Sequence, residues 1–143
     1  MIKIAKNEYL KYIHEIEKIN FINPWSENQT LSHLNNNKSY NLINISSNII
    51  NGYLLGEIID NSNHLYKTSI IKKLSNKGIG SLLINRLIKF LKELNILYIY
   101  LEVRASNNVA IKLYDKFDFK LINTRKKYYN DNEDALLYTL KIK

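Results

Sequence analysis

The stretch from residue 65 to residue 103 constrains the fold most. Residues 65–71 read as a strand. Gly78-Ile79-Gly80 then opens a segment, running to about Asn95, in which Ile79, Leu82, Leu83, Leu87, Phe90, Leu91 and Leu94 recur with a helical period. Residues 97–103 follow as an apolar, β-branched and aromatic run, the pattern of a central strand. A long helix with one apolar stripe must bury it, and the nearest apolar surface is a sheet. The chain is thereby restricted to helices packed on strands.

The flanks agree. Residues 8–20 place Tyr9, Tyr12, Ile13, Ile16 and Ile19 on one helical face. After Pro24-Trp25, Ser26 can cap a second helix, and Gln29 stands three residues on, where a capping box needs it. That helix runs to about Asn35, with Leu31 and Leu34 expected inward. Residues 40–45 and 53–59 are β-rich and read as a hairpin across a loop at 46–52. A helix from about Asn107 to Phe117 is expected to bury Ala110, Leu113, Tyr114 and Phe117. Strands at 119–128 and 135–142 then flank a polar turn at 130–134. The order is ααβββαβαββ. It predicts an α/β fold with a single mixed, mostly antiparallel sheet of about six to seven strands and about four flanking helices. No repeat or Pro/Gly linker divides the 143 residues, so 1–143 reads as one domain.

Several chemistries drop out. Without cysteine there is no disulfide, no thiolate metal site and no cysteine nucleophile. His14, His33 and His64 share no metal-ligand spacing, and no metal is expected. The N-terminus lacks a secretory h-region, and no apolar run approaches the roughly 18–20 residues of a membrane span, so a cytoplasmic location is expected. A net charge of +8 favours anionic partners. Lysine is nonetheless spread evenly through a chain rich in isoleucine and asparagine, so compositional drift accounts for the charge equally well.

The residues around the glycine turn carry candidate chemistry. A helix start offers unpaired N–H groups and the positive end of a dipole. Gly78 and Gly80 would let an anion approach them, with Lys72, Lys73 and Lys77 adding charge. The turn is not a P-loop, since no Gly-Lys-Ser/Thr follows. It is not the dinucleotide fingerprint either, because Leu83 fills the third small position. On local grounds a plain tight turn serves as well. Glu102, at the end of the apolar strand, is either ion-paired to Arg104, simply outward-facing, or a general base. Tyr114 is either a core tyrosine or a proton donor. Asn107 is by default a cap.

Taken together, the glycine turn, Leu101-Glu102-Val103-Arg104-Ala105-Ser106-Asn107-Asn108-Val109-Ala110-Ile111-Lys112-Leu113-Tyr114, and Phe117-Asp118-Phe119 resemble the GCN5-related N-acetyltransferase (GNAT) superfamily. Pro24-Trp25-Ser26, Tyr128-Tyr129 and Glu133-Asp134-Ala135 extend the resemblance to its RimI-like members, which acetylate a ribosomal protein's N-terminal alanine. The resemblance spans about residues 9 to 140. It implies acetyl-CoA as co-substrate, no metal, and a protein N-terminus, that of a ribosomal protein, as acceptor. It implies that Thr68, Ser69 and Ile70 present backbone groups to the pantetheine arm and acetyl carbonyl. Asn76, Lys77, Gly78, Ile79, Gly80 and Ser81 would cradle the pyrophosphate, and Asn107 would bond the cofactor arm. Glu102 would accept a proton and Tyr114 donate one.

Two positions depart from the family pattern. Ser75 replaces a Gln or Arg, and Asp118 replaces the glycine of a Leu-Gly-Phe helix exit, at modest cost because aspartate tolerates the left-handed region. Two other readings stay open: acetylation of a different amine (lysine, polyamine or antibiotic), and a non-catalytic basic module holding RNA or a ribosomal partner. The acetyltransferase mechanism read here requires both an exposed Gly78–Gly80 loop and Glu102 and Tyr114 on one side of the sheet; failure of either defeats it.

Overall fold

The computed structural model describes Met1–Lys143. Strands β2 (Ser39–Ser46) and β3 (Ile49–Ile59) meet at Ser47-Asn48, whose φ angles of 50° and 61° form the left-handed pair that suits strand twist. The loop expected at 46–52 is therefore a two-residue turn. Its asparagines misled because they are satisfied inside the sheet: Asn51 Nδ2 donates to Asn44 Oδ1 at 3.0 Å and to Ser46 Oγ at 2.8 Å. Strand β4 (Ser62–Ile70) returns antiparallel to β3. A three-residue strand β1 (Ile2–Ile4), too short to show a period, extends the outer edge of β2.

Helix α3 (Ile79–Glu93) carries the chain to β5 (Tyr98–Arg104), which lies parallel to β4. After helix α4 (Asn108–Lys116), β6 (Lys120–Arg125) and β7 (Ala135–Lys141) complete a seven-stranded sheet in the order β1-β2-β3-β4-β5-β7-β6. The pair β4–β5 is the one parallel junction; the others are antiparallel, as expected.

Helices α1 (Leu10–Asn20) and α2 (Glu27–Leu34) cover one face of β2–β4, around Ile13, Ile16, Ile43, Tyr53 and Leu55. The other face is closed by α3 and α4 over Leu65, Ile99, Leu101 and Val103. The predicted helix faces need correction by part of a turn. In α1, Tyr12 and Ile19 are exposed, and the buried positions are Ile13, Ile16 and Glu17. In α3, Leu82 and Leu94 are exposed while Ile84 is fully buried. In α4 Tyr114 alone is buried; Ala110, Leu113 and Phe117 are only half-buried. In α2, Leu31 and Leu34 are half-buried, and Thr30 and His33 take the inner positions. His33 Nε2 lies 2.8 Å from Asn41 Oδ1, so a polar pair occupies what periodicity assigned to leucine. The capping box at Ser26 and Gln29 is present in both directions. Asp118 adopts φ 65° at the exit of α4, as its side chain permits.

Asn63 is fully buried, and neither side-chain amide atom has a hydrogen-bond partner. An unsatisfied buried polar group costs about 1–3 kcal/mol, whereas an apolar group of the same shape costs nothing comparable. Asn63→Leu is therefore expected to raise the thermal midpoint. A lower midpoint would show that a buried water pairs the amide. No helix is long and apolar enough to cross a membrane.

Candidate active site

Strands β4 and β5 pair only from Ser62↔Tyr98 to Leu65↔Leu101 and then part. The register against β3 jumps there, with Gly56 opposite Leu65 and Leu55 opposite Lys67, so Tyr66 is the extra residue of a β-bulge. A bulge bends its strand. Beyond it, the backbone groups of β4 that point toward β5 have no strand to pair with, which leaves a row of donors and acceptors along an opening in the sheet.

On the α3/α4 side this opening runs into a groove of about 480 Å³. Thr68, Ser69, Ile70, Asn76, Gly78, Ile79, Gly80, Ser81 and Asn107 line it; Lys77 does not and points to solvent. The glycine turn is exposed, as an anion site requires. Its two glycines serve different ends. Gly78 has φ 88°, and a Cβ there would meet nothing within 4 Å, so it is needed for backbone conformation. At Gly80 a Cβ would come within 2.9 Å of Leu113 Cδ2, so its bareness lets α4 sit close to the start of α3. Gly78→Ala is expected to cost about 1–2 kcal/mol through the left-handed backbone alone, read as a shifted denaturation midpoint.

Asn107 is the N-cap of α4, its Oδ1 accepting from Ala110 N–H at 3.2 Å, which leaves Nδ2 for a ligand in the groove. Asn20, at the end of α1, donates to Ser69 Oγ (2.7 Å) and to the Ile70 carbonyl (2.9 Å), tying α1 to the free edge of β4. Tyr114 is buried with its hydroxyl beside Thr68; burial raises the phenol above its ordinary value, and Thr68 partly opposes this.

Glu102 faces the opposite way. Its carboxylate opens into a second concavity of about 260 Å³ with His64, Tyr66, Tyr100, Ile122 and Arg125, on the sheet face that carries α1 and α2. The expectation that Glu102 and Tyr114 share one side of the sheet is thus corrected: strand alternation puts Leu101 and Val103 toward α3 and α4, and Glu102 away from them. That expectation assumed a continuous sheet. Glu102 stands just past Leu101, the last residue of β5 paired with β4, whereas Tyr114 is buried on α4 beside Thr68 and lines neither concavity. The ion pair proposed between Glu102 and Arg104 is also absent. Arg125 approaches Glu102 at 3.8 Å, while Arg104 Nη1 binds Asp131 (2.9 Å) and Glu133 (3.0 Å) and its guanidinium stacks 3.9 Å from the Tyr129 ring. Glu133 also accepts from Ser106 N–H at 2.8 Å, and these bonds hold its carboxyl below the usual range. The turn bearing Tyr128 and Tyr129 is thereby fastened to the end of β5. The Tyr66 hydroxyl is committed to Glu57 (2.9 Å), and burial with that carboxylate pushes it up to about 12.

Sequence reasoning missed Asn20, Arg125 and a buried network centred on Glu17. Its carboxylate is 1% exposed; it accepts from the Tyr53 hydroxyl and Trp25 N–H (2.8 Å) and pairs with Lys67 Nζ at 2.9 Å. Lys67 lies 4.0 Å from the centre of the Phe21 ring. A glutamate on the apolar face of α1 was the available signal. No group of three or more His, Asp or Glu side chains is arranged to hold a metal ion.

The acetyltransferase (GNAT) family model matches residues 10–119, and the chain belongs to this family, whose members use acetyl-CoA. It is 33% identical over 117 residues to the [ribosomal protein bS18]-alanine N-acetyltransferase of Haemophilus influenzae, covering 82% of this chain and 79% of that one. An N-alpha-acetyltransferase of Saccharolobus solfataricus is 41% identical over 75 residues, 52% of this chain; the match spans only 45% of that longer protein. The crystal structure of the ribosomal-protein-S18-alanine N-acetyltransferase from Escherichia coli superimposes with a TM-score of 0.92 at 26% identity, over 99% of this chain and 93% of that one.

Proposed function

We propose that the protein acetylates the N-terminal α-amine, that of alanine, of a small-subunit ribosomal protein, working in the cytoplasm where both substrates are made. The observation that carries this reading is the parting of β4 from β5, with a glycine-turn groove on one face and a separate concavity holding Glu102 on the other. The cofactor enters from the groove: amides at 76–81 receive the pyrophosphate, and the edge of β4 from Thr68 to Ile70, whose Ile70 carbonyl Asn20 already holds, receives the pantetheine amides through its remaining groups. Its thioester reaches the opening. The acceptor approaches from the other face, beneath the Tyr128-Tyr129 turn.

An α-amine has a reference pKa of about 8 and is mostly protonated at neutral pH. Glu102, directly or through a water, takes its proton. The amine attacks the thioester carbonyl, whose oxyanion is met by backbone N–H near Ile70. The C–S bond breaks as the Tyr114 hydroxyl gives its proton to the departing sulfur. No acyl-enzyme is needed, in keeping with a chain that has no cysteine. The test is release of CoA with an alanine-initiated ribosomal peptide, the same peptide N-terminally blocked, free lysine and a polyamine. Turnover confined to the free N-terminus supports the assignment; turnover with the blocked peptide or polyamine would replace it by another amine.

A further inference from the structure

We propose that Lys112 and Lys116 of α4 form a subsite for the 3′-phosphate of CoA and make this enzyme distinguish CoA from its dephosphorylated form. The inference rests on the acetyl-CoA reading. Three ammonium groups, Lys72, Lys112 and Lys116, line the groove, and no carboxylate does. Lys112 and Lys116 are four apart on one helix, a like-charge spacing that disfavours the helix. Neither forms an ion pair.

Lys116, though exposed, donates from Nζ to Ser81 Oγ at 2.9 Å, in the first turn of α3. A cation held at a helix N-terminus has the wrong sign for the helix dipole. The same ammonium has the right sign for the end of α4, so the mismatch is confined to the start of α3 and to the Lys112–Lys116 repulsion, and an anion between the lysines and the start of α3 relieves both.

The close contact of Gly80 with Leu113 sets the geometry. It presses α4 against the beginning of α3 and brings the residues on either side of Leu113 to the mouth of the groove. The amides of the glycine turn are matched to the pyrophosphate, which leaves the second phosphate of the cofactor for α4. Lys112 and Lys116 are about 6 Å apart along the helix axis, a separation that two flexible ammonium groups can close around one dianion.

The test is calorimetric titration of wild type and the Lys112→Met/Lys116→Met double variant with CoA and with 3′-dephospho-CoA. Wild type is expected to bind CoA about tenfold or more tightly than dephospho-CoA, with the ratio shrinking as salt rises. The variant is expected to lose most of that ratio while its affinity for dephospho-CoA stays within about twofold, since the lost contacts are charge-assisted ones to the absent phosphate. Its ligand-free thermal midpoint should stay near wild type, because the relieved Lys112–Lys116 repulsion offsets the lost Lys116 contacts with Ser81 and the end of α4. Equal loss for both ligands would assign the lysines to the pyrophosphate and overturn the proposal, as would a wild type without preference. Wild type that binds neither ligand would overturn the acetyl-CoA reading as well.

Discussion

Replacement of Tyr114 by phenylalanine is expected to lower kcat by about 10²–10⁴, the range for a lost proton transfer, with CoA affinity and fold near wild type. The substitution removes one oxygen from a side chain whose ring stays packed against Phe119. The pH profile makes the role specific. Burial raises this phenol, so it stays protonated past the ordinary tyrosine range, and the alkaline limb attributable to it lies above pH of about 10. Glu102→Gln is expected to cost a similar factor by removing the proton acceptor while keeping size and polarity. Steady-state kinetics with an alanine-initiated peptide measures both. Because the two residues stand on opposite faces of the opening, each single variant should still bind the substrate on the other side. Near-wild-type turnover in both would remove these role assignments and leave the fold untouched.

Lys67→Met is expected to be strongly destabilising. It strands the Glu17 carboxylate, which is almost wholly out of solvent, with only the Tyr53 hydroxyl and the Trp25 N–H as partners. Breaking a buried pair by removing one partner costs about 3–5 kcal/mol. For a chain of this size that corresponds to a fall of roughly 10–15 °C in thermal midpoint. Adding Glu17→Leu should recover most of the loss, since apolar replacement of both members of a buried pair is often neutral. Denaturant melts of the two single variants and the double close the cycle. A Lys67→Met midpoint within a few degrees of wild type would mean that the pair is dispensable. The network also anchors Trp25 and stands behind Phe21, which lines the glycine-turn groove, so if that groove holds acetyl-CoA the destabilised variant should show a raised KM as well.

The period of the side chains carried the element order, because burial against a sheet demands a stripe on a helix and alternation on a strand. It misplaced helix faces where polar side chains pair inside: Glu17 with Lys67, His33 with Asn41, Asn51 with Asn44. Each residue is hydrophilic when read alone and buried once its partner arrives from another element. The glycine turn and the stretch from Glu102 to Tyr114 were legible because a helix start with bare glycines is a local, continuous feature.

What the linear chain determined by itself was therefore the set of helices and strands other than β1, and the family to which they belong. Tertiary structure alone decided the functional opening. The bulge at Tyr66 is defined only by register against β3, and the parting of β4 from β5 joins strands 28 or more residues apart in sequence. That opening rests on backbone hydrogen bonds that every residue type can make or leave unmade, and strand alternation beside it put Glu102 and Tyr114 on opposite faces.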